Sequence, residues 1–207
     1  HSPQSSLLEC LIALRNEEYD RAEKAADRAI ELDPDNPQSY LHRARVKIQA
    51  NAQDGRQRAI LDLQKALSFN PGLIPAREML VELYLARQDQ NMPAAIDQLL
   101  SILQQNPQHV PARMRLSQLY LQNENTSKLA DLLEESIELM PEVAAWYKLR
   151  GQLALQEDKP QQAVVDLRKA FDREKSPDSL NLLCQSLAKP GKPEEAMTIM
   201  DGWTEQI

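Results

Sequence analysis

One passage of this chain is written twice. Asn70-Pro71…Pro75-Ala76-Arg77…Leu80…Leu83-Tyr84-Leu85 returns 36 residues later as Asn106-Pro107…Pro111-Ala112-Arg113…Leu116…Leu119-Tyr120-Leu121. A fixed period in the range of roughly 20 to 50 residues marks stacked supersecondary units, each burying its apolar face only against its neighbours. Prolines keep the same beat. Asp33-Pro34, Asn70-Pro71, Asn106-Pro107 and Met140-Pro141 are spaced by 37, 36 and 34 residues. Proline lacks the N–H and disfavours helical geometry in the residue before it, so each of these is a helix stop.

Between the stops the apolar letters recur at three- and four-residue steps, the helical period. Ala22…Ala26…Ala29-Ile30, Ala59-Ile60…Leu63…Ala66-Leu67 and Ala95-Ile96…Leu99-Leu100…Leu103 are the first three examples. Leu129…Leu133…Ile137 and Ala163-Val164…Leu167…Ala170-Phe171 continue the series. Each such helix follows a partner across a short polar turn, such as Asn16-Glu17-Glu18 or Asn123-Glu124-Asn125, and turns this brief force the two helices antiparallel. Six pairs fit, at about 4–33, 37–70, 73–106, 109–140, 142–173 and 177–206. The expectation is an all-α array without a linker. Of 207 residues only five are Gly and 4% are aromatic, while 42% are hydrophobic, which suits helices with an extensive aliphatic core.

The units resemble the tetratricopeptide repeat, whose signature runs W-x2-L-G-x2-Y, then A-x3-F, a further alanine and a closing proline. The fifth pair gives Trp146-x2-Leu149-Arg150-x2-Leu153, followed by Ala163-x3-Leu167-x2-Ala170. Leu80…Tyr84 and Ala95-x3-Leu99 carry it in the third pair, Leu116-Ser117-x2-Tyr120 in the fourth, and Ala59-x3-Leu63-x2-Ala66 in the second. Ala44, Ser117 and Cys184 stand where the family places Gly, opposite Ala22, Ala59, Ala95, Ala163 and Ala196, where close backbone approach requires short side chains. Arg43 in place of Leu and Arg150 in place of Gly depart from the pattern.

The resemblance implies a right-handed superhelical solenoid forming a single domain, whose first helices line a concave groove for a peptide or helix of a protein partner. On that reading the groove residues are Leu41, Arg45 and Ile48, then Glu78, Glu82 and Leu85, then Met114, Gln118, Leu121 and Gln122. Tyr147 and Gly151 follow from the fifth pair, with Asn181 and Gln185 from the sixth. Such a mixture of apolar contacts and polar hooks suits an extended or helical peptide. The Lys and Asn with which co-chaperone members clamp a C-terminal carboxylate are replaced here by residues such as Glu78 and Glu82, which would repel it.

A net charge of −7 without a Lys/Arg block argues against a nucleic-acid partner, since phosphate binding needs concentrated positive charge. No apolar run approaches the roughly 20 residues of a membrane span and no leader pattern is present, so direct membrane insertion is not expected. His1, His42 and His109 are scattered, glycines are isolated, and the carboxylate pairs fall on adjacent helical positions that point apart. No enzyme activity, metal or cofactor is implied. Cys10 and Cys184 stand at opposite ends and read as free buried thiols. The last helix carries Met197, Met200 and Trp203, a surface for possible self-association through Met200 and Trp203. The opening His1-Ser2-Pro3-Gln4 reads as the start of a segment cut from a longer chain. Alternative roles are therefore a scaffold segment of a bacterial envelope secretion or assembly complex, or a regulatory repeat domain of a larger enzyme. The compartment, cytoplasmic or bacterial periplasmic, stays open.

Overall fold

The computed structural model describes residues 2–51, 54–86, 91–188, 191 and 193–204. Among these there are twelve α-helices and no strand. Unit 1, residues 1–107, contains α1 (Pro3–Arg15), α2 (Tyr19–Leu32), α3 (Pro37–Gln49), α4 (Gly55–Phe69), α5 (Ile74–Leu85) and α6 (Met92–Gln105). Unit 2, residues 108–207, contains α7 (Val110–Gln122), α8 (Thr126–Leu139), α9 (Ala144–Gln156), α10 (Pro160–Arg173), α11 (Pro177–Ala188) and α12 (Pro193–Thr204). The chain is an all-α helical repeat, and the helices pair as the periodicity implies. Parts of three expected turns, at 52–53, 87–90, 189–190 and 192, and the end of the sixth pair at 205–207, lie outside the described residues.

The stops act as the proline rule requires. α2, α4, α6 and α8 end immediately before Asp33, Asn70, Asn106 and Met140, each in an extended or near-extended conformation ahead of its proline. The starts are capped locally. The side chains of Asn36, Asn91, His109 and Asn125 accept from the backbone N–H groups of Gln38, Ala94, Ala112 and Lys128, satisfying donors that the first turn leaves open. The three-residue turns after α1, α7 and α9 close through Glu17, Glu124 and Asp158, with positive φ of 61°, 52° and 55°.

Small residues set how closely the paired helices approach. Ala22, Ala25, Ala26 and Ala29 make one wholly buried stripe along α2, facing Cys10 and Ala13 of α1. Ala44, Ala59, Leu63 and Ala66 do the same for α3 and α4, joined by Leu73, Ala76, Leu80 and Leu83 of the following pair. In unit 2, Ala163 and Leu167 of α10 share a core with Ala154, Leu183, Leu187 and Ala196.

The fifth pair is registered one residue later than its letters suggest. Gly151, not Arg150, is the close-approach residue. A Cβ on Gly151 would stand 2.6 Å from Leu167 Cγ and 3.4 Å from the Ala163 carbonyl oxygen. The spacing to the facing helix would have shown it. Gly151 precedes Ala163 by twelve residues, as Cys10 precedes Ala22 and Cys184 precedes Ala196. The Trp146 indole drew the alignment off by one, although it too is fully buried.

This register explains the two arginines at apolar positions. Arg43 and Arg150 each stand one residue before the small residue of their helix, and each meets an aspartate three residues past the alanine that faces it. Arg43 donates from Nε to Asp62 at 3.0 Å, from Nη2 to Asp62 at 2.6 Å and from Nη1 to Asp27 at 2.8 Å. Lys47 donates to the same Asp62 at 2.7 Å. Arg150 donates to Asp166 from Nε and Nη2 at 2.8 and 2.7 Å. Burial pulls the Arg43 pKa down, but the bonds to Asp62 and Asp27 outweigh it and hold the guanidinium above its ordinary value. At the same place in the first pair the signs reverse, with Glu9 of α1 accepting from Arg21 and Arg28 of α2.

Each arginine of the duplicated passage ties the first helix of its pair to the second, and Arg77 also braces the loop before it. Arg77 donates to the Pro71 carbonyl from Nε and Nη2 at 3.2 and 2.9 Å, and to Gln98 at 2.7 Å. Arg113 is buried to 1% exposure and donates to Ser136 Oγ at 3.1 Å and Glu135 at 2.8 Å. In the fifth pair Tyr147 takes that position, and Arg173 arrives from α10 instead. Arg173 lies 4.4 Å from the Tyr147 ring centroid and donates to the Pro141 carbonyl at 2.7 Å.

Candidate functional site

A cleft of about 510 Å³ opens between α3 and α5 of unit 1. Arg45, Ile48 and Gln49 line it from α3, Arg56 from the start of α4, and Pro75, Glu78, Met79, Glu82 and Leu83 from α5, with Ala86 beyond. The helical period places Arg45 and Ile48 on one face, and Glu78 and Glu82 one turn apart on the facing helix. The floor is aliphatic and the rims are charged. Four of the groove residues expected from the sequence therefore share one opening.

The remaining ones divide by burial. Leu41 is 3% exposed and belongs to the core beside Tyr40 and Ala44. Leu85 is half-buried and does not line the cleft. In unit 2, Gln118 and Leu121 line a smaller cleft of about 300 Å³ with Gln152, Leu155 and Gln156. Met114 is half-buried and Gln122 exposed. Asn181 and Gln185 are exposed on α11, with a 3.4 Å hydrogen bond between them.

Tyr147 and Gly151 do not present a binding surface, since both are buried against α10. The one-residue correction replaces them by Lys148, Gln152 and Leu155, of which Gln152 and Leu155 line the second cleft. Lys148 donates to Asp178 of α11 at 2.8 Å. Arg56 and Met79 were missed altogether. Arg56 belongs to a second helix, and only the short reach from the start of α4 brings it to the opening.

His42 lies on α3 one turn before Arg45. Burial, and secondarily the Arg45 guanidinium, hold its imidazole below the ordinary histidine range, and its Nδ1 has no hydrogen-bond partner among the described residues. A depressed folded-state pKa means that the unfolded chain binds the proton more readily. The contribution is therefore complete above the unfolded value near 6.5 and is lost as pH falls through it toward the folded value. The expected result is that unit 1 loses stability between pH 7.5 and 5.5, and that His42→Gln lessens this loss. Thermal melts of both proteins at the two pH values would show it, and identical pH slopes would remove His42 from the explanation.

The thiols differ. Cys10 is wholly buried, and burial pushes its pKa up to about 11 despite the opposing effect of Arg45. Cys184 is only half-buried, and its sulfur lies 3.8 Å from the Ala196 carbonyl oxygen. Trp203 packs on Phe171 with ring centroids 5.7 Å apart, while Met197 and Met200 are exposed. No helix among the described residues is long and apolar enough to cross a membrane.

Residues 7–72 match the family model described as tetratricopeptide repeat. That segment is similar to the tetratricopeptide repeat. Solved structures with the same arrangement include a MamA protein, at 19% identity and a TM-score of 0.66, with 84% of this chain and 92% of that one covered. A tetratricopeptide repeat protein from Parabacteroides merdae is 16% identical with a TM-score of 0.66, covering 97% of this chain and 78% of that one. YrrB, described as a tetratricopeptide protein with an unusual peptide-binding site, is 17% identical with a TM-score of 0.63, covering 89% and 93%. At these identities the likeness is one of fold. Among curated proteins none matches this chain.

Proposed function

We propose that this chain is a non-catalytic scaffold that holds a peptide or helix of a protein partner along the first helices of its pairs. The cleft between α3 and α5 carries this reading. It is open, its floor is built from Ile48, Met79 and Leu83, and charged side chains stand at its rims. Such a surface fixes an apolar anchor by burial and orients it by polar contacts. A peptide-binding site is named for YrrB, a protein of the same fold, which supports looking for one here.

A photo-crosslinking residue at Gln49, in the cleft, is compared with one at Leu61, which is 64% exposed on α4 and lies outside it. Partner peptides are expected to cross-link from position 49 and not from 61. Ile48→Asp should weaken that partner's binding at least tenfold, about the loss of one buried aliphatic contact. Equal cross-linking at the two positions, or undiminished affinity of the Ile48→Asp protein, would refute the assignment.

A further inference from the structure

The same cleft is charged unevenly, and the unevenness selects a ligand. In unit 1, Arg21, Arg28, Arg43 and Arg58 each hold a carboxylate of a neighbouring helix. Among the described residues, Arg45 and Arg56 make no such ion pair. Both line the cleft beside the Ile48 floor, on its α3–α4 side. The opposite wall carries Glu78 and Glu82. Two guanidiniums without an internal carboxylate, next to the half-buried Ile48 and Met79, are complementary to an apolar side chain with a carboxylate close to it.

Building on the peptide-scaffold reading, we infer that this cleft takes a peptide segment in which Asp or Glu flanks a Leu, Ile, Met or Phe. The apolar side chain lies on Ile48, Met79 and Leu83, and the carboxylate accepts from Arg45 or Arg56. Arginine suits the task because its planar fork binds a carboxylate through two parallel bonds. The net charge of −7 does not overturn this preference. Screening limits the reach of exposed charge to about 8 Å in physiological salt, so the nearest pair decides. The cleft in unit 2 is the built-in contrast, because glutamines replace charges there.

The test is selection of a random 12-residue peptide library, displayed on phage, against the full chain. The enriched peptides are then synthesised and titrated by fluorescence polarisation. Peptides carrying Asp or Glu beside an aliphatic or Phe residue are expected. Arg45→Gln and Arg56→Gln should each weaken binding by about fivefold, the upper range for an exposed ion pair. The double variant should lose at least tenfold, and its affinity should depend less on salt. Peptides without acidic enrichment that respond to Ile48→Asp but not to the arginine variants would overturn the selectivity and leave the groove reading standing. Lysine-rich peptides would overturn it likewise, in favour of the glutamate wall. Peptides insensitive to Ile48→Asp, or no enrichment at all, would overturn both.

Discussion

Replacing Asp62 by Ala is expected to destabilise unit 1 by about 3–4 kcal/mol, the cost of removing one member of a buried charged cluster. Asp62 is 5% exposed and accepts from Arg43 twice and from Lys47 once, so its loss takes the carboxylate from Lys47 and leaves Arg43 with Asp27 alone. Arg43 and Lys47 keep side-chain exposures of 23% and 10%, which lets water soften the penalty and argues for the lower part of the range. Arg43→Leu should cost much less. Leu is what the tetratricopeptide pattern places there, and Lys47 still neutralises Asp62 when Arg43 is gone. Denaturant unfolding followed by circular dichroism gives the ranking, and hydrogen exchange localises the loss to amides of α3 and α4. A loss below about 1 kcal/mol for Asp62→Ala would mean that the cluster is solvated enough to be replaceable.

That cluster also marks where local reading of the sequence stops. Helix ends at Leu32, Phe69, Gln105 and Leu139 were legible because proline acts on its immediate neighbour. The buried alanine stripe of α2 was legible because a helical face repeats every three or four residues. The partner of Arg43 was not, since Asp62 lies 19 residues away and only the folded pair brings them together. The register of the fifth pair failed for a different reason. The resemblance was matched on a bulky letter, Trp146, when the geometric constraint falls on the smallest one. Arg56 was invisible because it comes from a second helix across a turn whose length varies among the pairs. Four of the ten residues lining the candidate cleft, Arg45, Ile48, Glu78 and Glu82, could be reached through the tetratricopeptide resemblance, because those residues sit on single helices of settled register.

Gly151 provides the sharpest test of that corrected register. Alanine there gains about 1 kcal/mol of helix propensity over glycine, so on an unconstrained helix Gly151→Ala would stabilise. Here the new Cβ would meet Leu167 Cγ at 2.6 Å and Cδ2 at 2.9 Å, with Leu167 itself wholly buried. The crowded atom is the branch point of the side chain, not its free end, so relief requires α9 and α10 to separate or Leu167 to leave its rotamer. Overpacking of this kind costs typically 1–3 kcal/mol and outweighs the propensity gain. Gly151→Ala should therefore destabilise unit 2 by about 1 kcal/mol, and Gly151→Val, with its larger β-branched side chain, by about 3 kcal/mol. Leu167→Ala alone opens a cavity and should cost about 2–4 kcal/mol. Combined with Gly151→Val it should cost clearly less than the sum, because the valine occupies the space that the leucine vacates. Strict additivity in that double-mutant cycle, measured by denaturant unfolding with Trp146 and Trp203 fluorescence, would show that the two residues do not share the contact. A neutral Gly151→Ala would return the close-approach position to Arg150.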